Sequence, residues 1–198
     1  LTAEQITQHL AKYNLGALEA HSGISDGVEN TNYKITTTKG AFILTLFEKR
    51  VDEKSLPFYL HFMDELARDG LPVATVEKTL DGKEVASLSG KPAIITQFLN
   101  GRWPEQPTPD HCAALGRTLA VMHKTGAKIK KRRHNTLDLD AWRALISACG
   151  PEKTDSLQTG LYAELGEALA LLEKQLPKNL PTGVVHADLF PDNVFFDE

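Results

Sequence analysis

The chain has 198 residues, 41% of them hydrophobic and 24% charged, with a net charge of −4; this is enough to bury one core or two small lobes. Mild acidity argues against a general nucleic-acid or membrane-surface binder, and no apolar run approaches membrane-spanning length. The two cysteines, Cys112 and Cys149, fit neither a disulfide framework nor a zinc site and suit a reducing compartment. With no signal peptide in view, the expected setting is the cytoplasm.

Thr2 and Gln5 make a capping box for a short amphipathic helix carrying Ile6, Leu10 and Tyr13. Alternating runs then predict strands at 17–22, 32–38 and 41–47, the last two turning at Lys39-Gly40. A helix is expected over 52–69, with Pro57 in its first turns and Gly70-Leu71-Pro72 as its stop. Further strands are expected near 73–80, 84–88 and 91–98, with turns at Asp81-Gly82 and Ser89-Gly90. Beyond Asn100 the pattern becomes helical: 109–125 closed by Gly126, 139–149 ended by Gly150-Pro151, and 156–176 with Leu161, Leu165, Leu169 and Leu172 in register. These leucine stripes read as core. The basic run from Lys128 to Arg133 reads as a solvated loop. The Pro- and Gly-rich stretch from Asn100 to Pro109 divides an N-lobe, 1–99, from a helical C-lobe, 100–198. The opening at Leu1 and the stop at Glu198 suggest that both ends are cut.

The chemistry concentrates in His186-Ala187-Asp188-Leu189-Phe190-Pro191-Asp192-Asn193. An H-x-D tripeptide alone is often only structural. An Asn five residues after the Asp, however, is the spacing of a kinase-type catalytic loop. Phosphoryl transfer needs a carboxylate at the attacking hydroxyl and oxygen ligands for Mg2+ at the donor phosphates. Asp188 is the candidate for the first role and Asn193 for the second. Gly183-Val184-Val185 and Val194-Phe195-Phe196 read as buried strands on either side, and His186 as a buried buttress. The other chemical reading, His186 and Asp188 as metal ligands of a hydrolase, would need further His or Asp residues at ligand spacing, which His111, His123 and His134 do not supply.

For ATP, the segment from Ser22 to Asn32 is small and polar enough to bring backbone N–H groups to phosphates, with Gly27, Asn30 and Thr31 as the candidates. Taken alone it also fits an ordinary hairpin loop. At the end of the strand 91–98, the carbonyl of Gln97 and the N–H of Leu99 are the candidate partners of an adenine edge.

Together these pieces resemble the aminoglycoside phosphotransferase and choline kinase superfamily. The matching strings are Gly27-Val28-Glu29-Asn30-Thr31-Asn32-Tyr33, Leu44-Thr45-Leu46-Phe47-Glu48, Phe98-Leu99-Asn100-Gly101-Arg102, residues 115–123 and residues 186–196. Several of them point to its bacterial homoserine kinase branch, type II. The resemblance implies an α+β, protein-kinase-like fold, a small antiparallel sheet followed by a mostly helical lobe. It implies ATP and Mg2+ as cofactors and L-homoserine, phosphorylated on its side-chain hydroxyl, as substrate. It places Asp188 as the catalytic Asp, Asn193 as a metal ligand, and Gly27 and Asn30 in the phosphate loop. Two positions depart from the wider kinase pattern: Thr45 stands where protein kinases hold a third-strand Lys, and the partner Glu position falls near Leu60. Lys49 and Arg50 are alternative cations for the phosphates, though each reads first as a surface residue. A second metal-binding Asp and much of the acceptor pocket are expected beyond Glu198. The alternatives are a kinase of the same superfamily acting on an aminoglycoside, choline or methylthioribose, and a nucleotide-binding module without catalysis.

Overall fold

The computed structural model describes residues 1–25, 30–48 and 53–197. They form two compact units, one of Leu1–Lys131 with Gly183–Glu198 and one of Arg132–Thr182.

The first unit begins with α1 (Ala3–Leu10), and both bonds of its capping box form: Gln5 N–H donates to Thr2 Oγ1 at 3.2 Å and Thr2 N–H to Gln5 Oε1 at 2.8 Å. Strands β1 (Leu18–Ile24), β2 (Asn30–Thr37), β3 (Gly40–Phe47), β4 (Ala86–Leu88) and β5 (Lys91–Gln97) build an antiparallel sheet in the order β1-β2-β3-β5-β4. The side-chain period of two sends Phe42, Leu44 and Leu46 of β3 to one face. There they meet Ile35, Ala93 and Ile95 and close over Ile6 and Leu10 of α1, with Tyr13 and Leu15. Burying each of these aliphatic side chains contributes about 1.5–3 kcal/mol.

Several expected elements take other forms. Residues 73–80 are not a regular strand. The segment touches β5 through one bridge, Val76 to Thr96, flanked by Glu77 N–H to Ile95 O and Gln97 N–H to Thr75 O. A tight turn then pulls it away: Thr79 Oγ1 bonds Asp81 and Gly82 adopts φ 80°. Of 84–88 only Ala86–Leu88 pairs, joined to β5 by the two-residue turn at Ser89 (φ 53°) and Gly90 (φ 78°). The helix expected over 52–69 is a 3-10 turn, Glu53–Ser55, followed by α2 (Leu56–Arg68), where Pro57 lies in the first turn and needs no N–H partner.

Helix α3 (Pro109–Lys128) runs past Gly126. That glycine does not stop the helix. A Cβ there would lie 3.1 Å from Val184 Cβ, so the missing side chain permits close packing instead. Of the basic run, Lys128 ends α3 and pairs with Asp69 at 3.0 Å, Ile129 is buried, and Lys131 bonds the carbonyl of Pro57.

The second unit is the helix pair α4 (Leu139–Asp155) and α5 (Leu161–Gln175). Helical geometry breaks at Gly150 (φ 70°, ψ 165°), where the sequence predicted an end, and a short turn continues from Pro151. Helix α5 starts five residues later than expected, after Gly160 in the left-handed region. Its leucine stripe is not a closed core. Leu169 is buried, while Leu165 is 36% and Leu172 41% exposed. Both cysteines are exposed thiols. No helix among the described residues is long and apolar enough to cross a membrane.

Candidate functional site

The catalytic-loop segment is irregular on both sides. Val185 and Phe195 are 62% and 61% exposed, and neither 183–185 nor 194–196 forms a strand. Three-residue apolar runs pair only when an edge is offered. The one offered is short: Phe196 exchanges both backbone bonds with Arg102, at 3.0 and 2.9 Å. Gly101 makes room for this crossing. Its φ is 148°, and a Cβ would meet Phe196 O at 3.1 Å and Phe195 Cβ at 3.2 Å. The Phe196 ring also packs 4.6 Å from the His111 ring near the start of α3. The loop is therefore anchored at its exit by residues 101–102 and α3, and at its entry by Val184 against Gly126. The composition pattern gave no hint of either anchor beyond the glycines themselves.

Inside the loop, Asp188 and Asn193 come together. Asn193 Nδ2 donates to the Asp188 backbone carbonyl at 2.8 Å and to its carboxylate Oδ2 at 3.0 Å. Only the amide nitrogen can donate to a carboxylate, so the contact fixes the amide with Oδ1 turned outward. The 3-10 turn Pro191–Asn193 makes the spacing work: Asn193 N–H bonds the carbonyl of Phe190 at 2.9 Å and the chain doubles back by one turn. His186 is exposed rather than buried, yet it still braces the loop, because its Nδ1 accepts the Asp188 N–H at 3.3 Å. Between them Ala187 holds φ 67°. A left-handed non-glycine residue costs roughly 1–2 kcal/mol, and here it turns Asp188 back onto His186.

The nucleotide candidates lie on the sheet. Gly27, Lys49 and Arg50 fall outside the described residues. Asn30 and Thr31 are neighbours on β2 and point to opposite faces. Thr31 pairs with Leu46 on the core face and donates to Glu48 at 2.9 Å; Glu48 also holds Lys91 at 2.5 Å. Asn30 pairs with Phe47 on the other face, where its Oδ1 is buried without a partner among the described residues. An unmet buried acceptor costs about 1–3 kcal/mol, and a donor from a ligand would recover it. On the same face Thr45 donates to Asn32 Oδ1 at 2.8 Å, so a neutral hydrogen-bonded pair fills the position where protein kinases hold a third-strand Lys. Leu60 is buried at 3% exposure, an apolar site where a lone carboxylate would be strongly disfavoured. At the end of β5, the Gln97 carbonyl and Leu99 N–H have no hydrogen-bond partner among the described residues. An extended chain presents groups spaced this way, i and i+2, on one side.

Magnesium favours a few hard oxygen donors and keeps several waters. The outward Asn193 Oδ1 and the Asp188 carboxylate are donors of that kind, and Asp188 is already oriented by Asn193. Among the described residues no three His, Cys, Asp or Glu side chains gather as a metal-binding group, which leaves the hydrolase alternative without a ligand set there.

A five-stranded antiparallel sheet followed by helices, with Asp188 and Asn193 in contact, defines a protein-kinase-like α+β fold. Solved structures share it. A microcompartment-associated aminopropanol kinase superposes with a TM-score of 0.70 at 20% identity, covering 100% of this chain and 65% of that one. A spectinomycin phosphotransferase, solved in complex with ADP and spectinomycin, gives 0.68 at 15% identity, covering 100% and 66%. The sequence profile of the phosphotransferase enzyme family matches residues 21–198, and the chain belongs to that family. It is 45% identical to a homoserine kinase of Rhizobium meliloti over 196 residues and 46% identical to one of Bradyrhizobium diazoefficiens over 197. The chain spans about 60% of the length of these curated relatives.

Proposed function

We propose that this chain carries the nucleotide-binding lobe and catalytic loop of a homoserine kinase, which moves the γ-phosphoryl group of ATP to the side-chain hydroxyl of L-homoserine. The observation that carries this reading is the hydrogen-bonded pair of Asp188 and Asn193 in a kinase-spaced loop; homoserine kinases at 43–47% identity support the choice of acceptor. In this reading residues 1–99 form the nucleotide-binding lobe and 100–198 the start of the helical lobe.

Asp188 orients the acceptor hydroxyl and takes its proton as the oxygen bonds phosphorus. Its second carboxylate oxygen is the one for that task, because Oδ2 is held by Asn193. Asn193 Oδ1 would be a ligand of Mg2+, which when bound offsets the charge on the donor phosphates. The Gln97 carbonyl and Leu99 N–H receive the adenine edge, and Asn30 with the neighbouring 26–29 segment, including Gly27, receives the phosphates. Positioning and electrostatics provide most of the acceleration.

The test is Asp188→Ala in the full-length protein, read by coupled ADP release and by nucleotide titration. The expected outcome is a loss of kcat on the order of 10²–10⁴-fold with the ATP dissociation constant unchanged. Turnover at the wild-type rate refutes the role of Asp188. An acceptor panel of L-homoserine, choline, methylthioribose and an aminoglycoside then fixes the substrate, and the greatest kcat/KM on any compound other than L-homoserine overturns this assignment.

A further inference from the structure

The sheet face opposite the α1 core has a definite layout. Directly paired residues share a face, so its rows are Asn30 with Phe47, then Asn32 with Thr45 and Ile94, then Ser22 with Lys34, Ile43 and Thr96. Phe98 N–H bonds Ala41 O at 3.2 Å and extends the ladder, which places Phe98 in a fourth row with Thr36 and Ala41. Lys34 is the one charged side chain that the described strand residues put on this face. It leans toward the fourth row, with its Nζ 4.0 Å from the centre of the Phe98 ring. Phe98 stands between the Gln97 carbonyl and the Leu99 N–H, which lack partners among the described residues.

We propose that Lys34 is a nucleobase-contacting residue that fixes part of the nucleotide affinity, its ammonium lying over the base that bonds to Gln97 and Leu99. This rests on the nucleotide-site reading above. A purine base offers a cation the same kind of π-face as the Phe98 ring, and Ile43 and Thr96 in the same row are the neighbouring surface. A phosphate role is the competing idea, and the spacing disfavours it. Same-face rows are about 7 Å apart along a strand, so the Phe98 row lies roughly 20 Å from the Asn30 row where the chain enters the 26–29 segment. A lysine held at Phe98 serves the base end of the face. It does not replace the cation that Thr45 lacks.

The experiment measures binding of adenosine, AMP and ATP to the full-length protein and to its Lys34→Met variant, which keeps the apolar stem and removes the charge. The expected result is a loss of about fivefold in affinity, equal for all three ligands, with Lys34→Arg restoring it and Phe98→Leu repeating it. A loss for ATP with adenosine unchanged makes Lys34 a phosphate contact and overturns the proposal, as does equal binding by wild type and Lys34→Met. If the wild-type chain binds none of the three, the nucleotide reading itself falls. That failure is separate from one confined to the variant.

Discussion

The two compact units differ in how their apolar residues are used. In the unit of Leu1–Lys131 with Gly183–Glu198, Ile6, His9, Ile35, Leu44, Ile95 and Thr125 are all below 2% exposure. In Arg132–Thr182 only Thr154 and Leu169 are buried, at 7% and 8%, although that unit is rich in leucine. Its two helices hold open grooves of about 510 and 420 Å3, and a polar tie spans them: Arg143 bonds Asp140 at 2.7 Å and also pairs with Glu173. A sheet face with alternating residues is closed by its own neighbours in sequence. A helix stripe identifies a face without saying what covers it.

The largest expected stability effect tests the closed core. Leu44→Ala removes a fully buried side chain between β2 and β5 and should cost about 3 kcal/mol, within the usual range for such truncations. Chemical denaturation measures it, and a loss below about 1 kcal/mol would mean that the sheet core is not the stable part.

Next comes acidity. His9 is buried in α1 beside Tyr13, with ring centres 5.4 Å apart, and neither its ring nitrogens nor the Tyr13 hydroxyl has a hydrogen-bond partner among the described residues. Burial, and then the charge of Lys12, lowers the His9 pKa from the usual 6.5 to about 4. Burial, with Asp81 nearby, raises Tyr13 to about 12. For His9 the unfolded chain binds the proton more readily than the folded one. Its contribution is therefore complete above pH 6.5 and is lost as the pH falls toward about 4. The first unit should lose stability through that window, and His9→Phe should flatten the slope. An unchanged slope in the variant removes His9 as its cause; Asp69, held low by its bonds to Thr125 and Lys128, loses its contribution only at lower pH, below the usual carboxylate value of 3.8.

What the sequence disclosed follows the same division. The Thr2–Gln5 box, the alternation through β3, the Ser89-Gly90 turn and the Asp188–Asn193 spacing are local signals, and each is formed by residues that are neighbours in the chain or one turn apart. The failures needed distant partners. Gly126 by itself predicts a helix stop; its packing role depends on Val184, which is far away in the chain. The apolar run Val194-Phe195-Phe196 predicts a strand, but the partner it meets is one bridge at Arg102, 94 positions away in the chain (196 less 102). The Lys34–Phe98 contact crosses 64 positions of the chain (98 less 34), and no period in the sequence encodes it.

A smaller effect probes the helical unit. Asp138 caps α4 by accepting the Ala141 N–H at 2.9 Å. Asp138→Ala should cost about 1 kcal/mol, and amide hydrogen exchange should show it in α4 and α5 while the sheet keeps its protection. Equal loss of protection in both units would show that they open as one and dissolve the contrast between them.

The smallest expected effect is the sharpest test of the leucine stripe. Leu165 sits at helical spacing between Leu161 and Leu169 yet is 36% exposed. A residue that already meets water loses little transfer free energy on truncation, and alanine has the better helix propensity. Leu165→Ala should therefore shift stability by no more than about 0.5 kcal/mol, as surface substitutions do. Leu169→Ala, one turn further on and 8% exposed, should cost about 2 kcal/mol or more. The difference between the two measures how far the stripe is core in this chain. If Leu165→Ala costs as much as Leu169→Ala, that face is covered in solution and the exposure of Leu165 and Leu172 does not describe the folded chain.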